Sequence, residues 1–188
     1  MEEKQIISYR KIVTLKDGVN VLLRPMTRDN AQELIDLFSP VTDEDLRYLR
    51  HNVRDKKLIN SWCKDLDYSR VLPVIALVNK RAIGQATLHF EKGPRRHLAE
   101  MRIYLAVDYR RRGLGNIMLH TMIELARKHD LNMLVAEIVA DQSHVVKAFQ
   151  NAGFELRCSL EDYFMLPDGD KRDVAVLTLN LRASVDEF

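Results

Sequence analysis

The sequence predicts an α/β fold of the α+β kind, a central mixed and mostly antiparallel sheet of about seven strands with helices on both faces. Three observations carry this. Several short stretches are apolar on alternate residues or continuously apolar, which is strand patterning. Others place apolar residues three and four apart, which is helix patterning. Their order is strand, strand, helix, helix, three strands, helix, strand, helix, two strands, which supplies helices for both sides of one sheet. With 188 residues, 46% hydrophobic and 30% charged, the chain 1–188 reads as one globular domain able to bury a core.

Residues 5–24 read as a hairpin, because Ile12–Leu15 and Val19–Leu23 flank Lys16-Asp17-Gly18, and Asp-Gly is a strong turn signal. Thr27 is placed to cap a helix carrying Ala31, Leu34, Ile35 and Phe38, with Asn30 where a full capping box has Glu or Gln. Thr42 caps a second short helix. Leu58, Trp62 and Leu66 suggest a third, with Trp62 either in the core or lining a groove. Val71–Asn79 and Ala82–Phe90 are strands about the turn Asn79-Lys80-Arg81, with Gly84 at a bulge. Leu98–Val107 is the central strand. After Gly113, Leu114, Ile117, Met118, Thr121, Met122 and Leu125 form one apolar helix face. Asn132–Ala140 is a strand apolar except for Glu137, followed by a helix over Ser143–Ala152 that Gly153 stops. Strands at about 154–165 and 172–181 close the sheet, and 183–188 reads as a frayed tail.

Composition excludes several classes. A net charge of +2 gives no global attraction to nucleic acid. Cys63 and Cys158 are far apart without ligand spacing, so neither a disulfide framework nor a metal site is expected, and a reducing cytoplasm fits. The start Met-Glu-Glu-Lys-Gln is not a signal peptide. The longest apolar run, Val71–Val78, is too short to span a bilayer and contains Pro73.

The chemistry concentrates in 98–116. A strand, the basic turn Asp108–Arg112 and a helix opening at Gly113 aim free backbone N–H groups and a positive dipole end at one spot. Gly113 and Gly115 let a ligand approach the backbone. No Gly-Lys-Ser/Thr follows, so this is not a Walker loop, and Met118 stands where a dinucleotide fingerprint needs its third glycine. On spacing alone, a phosphate cradle and a solvated basic turn stay equally open.

Arg110-x-x-Gly113-x-Gly115, after the apolar triplet Leu105-Ala106-Val107, resembles the coenzyme A signature of GNAT-type N-acetyltransferases. The run from Leu134 to Phe154, ending in Gly153-Phe154, is similar to that family's next strand and helix. Two motifs in the right order and separation are more specific than either alone. The resemblance is sharp over about 98–155 and extends as an order of elements over about 19–181. It implies the GNAT fold, acetyl-CoA as cosubstrate, and an amine acceptor. Backbone groups of Leu105, Ala106 and Val107 would hold the pantetheine, one N–H serving the oxyanion. The backbone of Arg111, Arg112, Gly113, Leu114, Gly115 and Asn116 would hold the pyrophosphate, with the arginines, Arg110 included, adding charge. Gln142 stands where the family has asparagine. Phe149 replaces the family's tyrosine acid, leaving Tyr163 or water to protonate the thiolate.

Acetyl transfer needs an amine stripped of its proton, and an unperturbed lysine titrates near 10.4. Glu100 is the first candidate base and Glu137 the second, since a charged residue in an apolar strand needs a partner or a role. Strand alternation puts Glu100, Arg102 and Tyr104 on one face. If Arg102 turns to Glu100, the carboxylate becomes a weaker base. No cysteine lies in these motifs, so direct transfer in a ternary complex is expected. Val21-Leu-Leu-Arg-Pro and Leu46-Arg-Tyr-Leu look like the acetyltransferase domain of bacterial protein-lysine acetyltransferases, which favours a protein lysine over a small amine. A catalytically silent coenzyme A-binding sensor is the competing class. The final strands could pair across a homodimer.

Overall fold

The Asp17-Gly18 turn joins β1 (Lys11–Thr14) to β2 (Asn20–Pro25), with Gly18 at φ +85°. The computed structural model of the chain describes residues 3–166 and 168–182, so the expected tail 183–188 lies outside the described residues. The expected hairpin starts too early. Glu3–Ser8 is a short helix, α1, because Lys4 and Gln5 are good helix formers and a turn of helix buries Ile6 in the core.

Asn30 does the work expected of Glu or Gln. Its Oδ1 accepts from the Thr27 N–H at 2.8 Å, ahead of α2 (Ala31–Phe38). Thr42 caps α3 (Asp43–Arg47) by accepting from the Asp45 N–H at 3.0 Å. Asp55 caps α4 (Lys56–Lys64) in the same way. The buried face of α4 is Ile59 and Cys63, not the expected Leu58, Trp62 and Leu66. The helix ends at Lys64 with Asp65 as its C-cap, so Leu66 lies outside it, ahead of a turn in which Asp67 accepts from the Ser69 N–H and hydroxyl. Trp62 sits half-buried, edge-on to Phe38 at 6.3 Å and to His51 at 5.7 Å.

β3 (Val71–Val78) and β4 (Arg81–Phe90) meet at Asn79 and Lys80, both at positive φ, as a two-residue hairpin turn requires. The bulge falls beside Gly84. Ala76 pairs with Gly84 and Leu77 with Ala82, leaving Ile83 extra on β4. A Cβ on Gly84 would stand 2.9 Å from Leu105 Cδ2, 3.0 Å from Met118 Sδ and 3.2 Å from the Tyr104 carbonyl oxygen. Gly84→Val is therefore expected to cost about 1–3 kcal/mol by overpacking, read as a lower urea midpoint at unchanged m-value.

The chain continues through β5 (Leu98–Leu105), a 3-10 turn at Val107–Tyr109, α5 (Leu114–Lys128), β6 (Met133–Val139), α6 (Ser143–Asn151), β7 (Glu155–Met165) and β8 (Lys171–Asn180). The eight strands form one sheet in the order β1-β2-β3-β4-β5-β6-β8-β7. Every neighbour is antiparallel except β5 with β6. Helices cover both faces as expected. On one, Leu114, Met118 and Met122 of α5 and Phe149 of α6 pack with Leu88, Met101 and Leu134. On the other, Leu34, Phe38 and Ile59 pack with Ile75 and Leu77. Each fully buried leucine contributes roughly 1.5–3 kcal/mol relative to exposure.

Candidate active site

The parallel pairing of β5 with β6 stops early. It has the rungs Leu98↔Met133, Ala99↔Leu134 and Glu100↔Val135, and then the strands part. β5 keeps β4 through Leu105, and β6 keeps β8 through Val139. Their facing edges therefore open into a wedge. Backbone groups along it have no strand partner, and an extended ligand can pair there as an added strand. The Ala106 N–H is not available, because it donates to the Ile83 carbonyl at 3.0 Å. That narrows the expected role of the triplet. The bulge that leaves Ile83 unpaired is what captures Ala106, while the Val107 N–H has no acceptor among the described residues.

At the wide end of the wedge the chain turns into α5. Gly113 is its N-cap at φ +90°, and the first bond back into the turn is Ile117 N–H to the Gly113 carbonyl at 3.2 Å. The N–H groups of residues 111–116 have no acceptor among the described residues. With the dipole of a 15-residue helix behind them, they are suited to an anion. A Cβ on Gly115 would lie 3.3 Å from Leu105 Cδ1, so the second glycine serves helix-to-strand packing.

The three arginines divide. Arg110 does not face the cradle as expected. It forks onto both Asp45 oxygens at 3.0 and 2.8 Å and reaches the Leu105 carbonyl at 3.3 Å. Arg112 is tied to Asp17 of the first hairpin and lies 4.3 Å over the Tyr109 ring. Acidic side chains remote in sequence claimed both. Arg111, at φ +58°, is exposed and has no ion pair among the described residues.

At the narrow end the two candidate carboxylates meet. Glu100 and Glu137 share the face that carries α2 to α4, and one nitrogen, Arg50 Nη2, bonds both. It lies 2.5 Å from Glu100 Oε1 and 2.7 Å from Glu137 Oε2. Arg102 does turn to Glu100, with Nε to Oε1 at 3.0 Å and Nη2 to Oε2 at 2.7 Å. Burial pushes the Glu100 carboxyl up, but the bonds and charge of Arg102 and the charge of Arg50 outweigh it and hold Glu100 below the usual carboxylate range. His89 pairs in register with Glu100, and its Nε2 lies 3.0 Å from Thr87 Oγ1. Burial first, then Arg102, pulls His89 down to about 4, so it is neutral at neutral pH. His51 is lowered by burial, Arg102 and Arg50.

Three expected residues lie further out. Tyr163 is half exposed on β7, stacked on Phe164 at 5.7 Å. Gln142 caps α6 through its carbonyl, which accepts from Val145 and Val146. Phe149 is buried against Phe154 and carries no proton to give.

Residues 43–54 bind both lips of the wedge. Asp45 holds Arg110 after β5, while Tyr48 Oη donates to Asp141 beyond β6 at 3.2 Å. Arg47 pairs with Asp168 and Asp170 between β7 and β8. Sequence reasoning missed Arg50, His89 and Phe164. The alternation Gln85-x-Thr87-x-His89 on β4 could have disclosed His89. Nothing local marks Arg50, which matters only through partners 50 and 87 positions away.

Among the described residues no group of histidine, cysteine and acidic side chains could hold a metal, and no helix is long and apolar enough to cross a membrane. Known structures share the architecture. The GNAT domain of S. lividans PAT superposes with a TM-score of 0.77 at 21% identity, covering 91% of this chain and 96% of that one. The ribosomal-protein-alanine N-acetyltransferase of Brucella melitensis gives 0.74 at 21%, covering 84% and 98%. The yncA protein of Salmonella typhimurium, solved with its cofactor acetyl-CoA, gives 0.75 at 15%, covering 88% and 96%. These likenesses establish the fold. The model of the acetyltransferase (GNAT) family matches residues 31–154, well over half of the sequence, and the chain belongs to that family.

Proposed function

We propose that this GNAT acetyltransferase moves an acetyl group from acetyl-CoA directly to a primary amine, with a protein lysine as the acceptor. The observation that carries the reading is the wedge. An anion cradle stands at its wide end, unpaired strand edges run along it, and two carboxylates meet at its narrow end. From Glu100 to Leu105 the strand spans about 16 Å, so cofactor head and reacting amine bind at separated places. The residues fit the group: the 111–116 N–H groups would hold the pyrophosphate and the edges of β5 and β6 the pantetheine. When bound, acetyl-CoA supplies an activated thioester.

The protein's own residues do the rest. Glu100, ionised at neutral pH, takes the proton from the acceptor ammonium directly or through water, with Glu137 beside it. The Val107 N–H, which has no acceptor among the described residues, is a donor of the triplet for the developing oxyanion. Tyr163 or water returns a proton to the leaving thiolate. Cys63 is buried in the second core and Cys158 lies on β7, which supports direct transfer over an acyl-cysteine.

The groove around Glu100 balances two carboxylates with two guanidiniums. It lacks the concentrated acidity that selects a polyamine, which supports a protein tail. A second reading, a silent coenzyme A-binding sensor, is favoured by the two arginines on Glu100 and by Phe149. Coenzyme A release measured with lysine peptides and polyamines separates the two. Turnover on a lysine peptide is expected, and tight binding without turnover on any acceptor would overturn the enzymatic reading.

A further inference from the structure

We propose that Arg50 is an internal stand-in for the acceptor, filling the cation site that the substrate ammonium must enter and so setting the enzyme's selectivity for cationic amines. This deepens the reading of the wedge as an amine acetyltransferase site and rests on it. The geometry is that of a bound ammonium. A single nitrogen, Nη2, sits between Glu100 Oε1 at 2.5 Å and Glu137 Oε2 at 2.7 Å. The guanidinium carbon lies 4.9 Å over the Phe164 ring, the arrangement of a cation on an aromatic face. Two carboxylates from strands that have parted each supply an oxygen to that nitrogen, and a ring from a third strand lies under the guanidinium carbon beside it.

Arg102 holds both Glu100 oxygens, Oε2 at 2.7 Å and, through Nε, Oε1 at 3.0 Å, so Glu100 gives the cage one oxygen that it shares with Arg102. Arg102 is fixed on β5 itself, whereas Arg50 reaches in from the irregular stretch between α3 and α4. The Arg50 side chain remains 30% exposed. It can withdraw without breaking a strand or helix. Once withdrawn, it leaves two carboxylates against Arg102 alone, a site with one uncompensated negative charge. A primary ammonium restores the balance. A neutral hydroxyl or an anionic acceptor does not, so the device rejects them. Its cost is competition, since the acceptor sees only the fraction of molecules in which Arg50 is out.

Two variants test this. Arg50→Ala is expected to lower the KM for Nα-acetyl-lysine amide about tenfold, with the KM for acetyl-CoA unchanged. Arg50→Gln, which keeps most of the stem and loses the charge, repeats the measurement if the alanine variant folds poorly. Arg50→Lys places an amine in the cage. With acetyl-CoA alone it is expected to gain an acetyl group at position 50, mapped by peptide mass spectrometry. In that step the thioester C–S bond breaks and an N–C amide bond forms. The ammonium gives one proton to Glu100 before attack, the second leaves nitrogen through water as the amide forms, and coenzyme A leaves as the thiol after taking a proton from that water. An acceptor KM that stays or rises in Arg50→Ala overturns the proposal, and an unmodified position 50 counts against it. Calorimetric binding of acetyl-CoA to the wild type keeps the two levels apart. Absence of that binding overturns the acetyltransferase reading, whereas retained binding with an unchanged acceptor KM overturns only the role of Arg50.

Discussion

Gly113→Val is expected to weaken acetyl-CoA binding by about 100-fold or more while the chain still folds. The cause is the backbone. Gly113 caps α5 at φ +90°, where a side chain costs roughly 1–2 kcal/mol and a β-branched one more. Contact is the smaller effect, because an added Cβ would meet only the flexible Lys16 side chain at 3.6 Å. To relieve the strain the turn must rotate, and the N–H groups of residues 111–116 then no longer converge. Isothermal titration calorimetry reads the loss, and thermal unfolding shows whether the fold survives. Retained affinity would refute the cradle. Arg111→Ala serves as the contrast. An exposed charge near an anion contributes roughly 0.5–1 kcal/mol, so that variant is expected to lose only about three- to fivefold.

Glu100→Gln is expected to lower kcat by about 100-fold or more, with acetyl-CoA affinity unchanged. The pH dependence distinguishes a base from a mere contact. Burial raises the Glu100 pKa, but Arg102 and Arg50 outweigh it, and the folded-state value lies below the ordinary one. The stability this carboxylate contributes is thus fully present above its unfolded-state pKa and is lost as pH falls through the folded value. By the same sign, the acid limb of kcat/KM belongs below the usual carboxylate range. Arg102→Met removes the larger of the two arginine effects, and the limb is expected to move to higher pH. If Glu100→Gln leaves both kcat and the pH–rate profile unchanged, Glu100 is not the base.

Most of the fold was legible because local signals and long-range packing agree. Asp17-Gly18, the capping threonines 27 and 42 and the α5 apolar face all act within a few residues. Misreadings occurred where tertiary contacts decide. The first residues became α1 because Ile6 found the core, and α4, capped by Asp55 and ended at Asp65, turned Ile59 and Cys63 inward to pack with Leu34 and Phe38. The cradle was readable for the same reason: the positive φ needed at the head of α5 is supplied locally by Gly113. The narrow end was half readable. Glu137 was conspicuous in an apolar strand, and Arg102 lay two residues from Glu100. That Arg50 joins the two carboxylates, and that Asp45 and Asp17 take Arg110 and Arg112, follows from chain crossings that no local pattern encodes.

The early end of the parallel ladder at Glu100↔Val135 has a mechanical meaning. Strands β1–β5 form one antiparallel plate and β6–β8 another, joined within the sheet by three rungs at one end and, beside them, by the Asn132 N–H bond to the His97 carbonyl at 2.9 Å. A ligand that pairs with the free edges on both sides stitches that seam from within. Such a ligand would be a temporary ninth strand, and its binding and release would tie and untie the two plates.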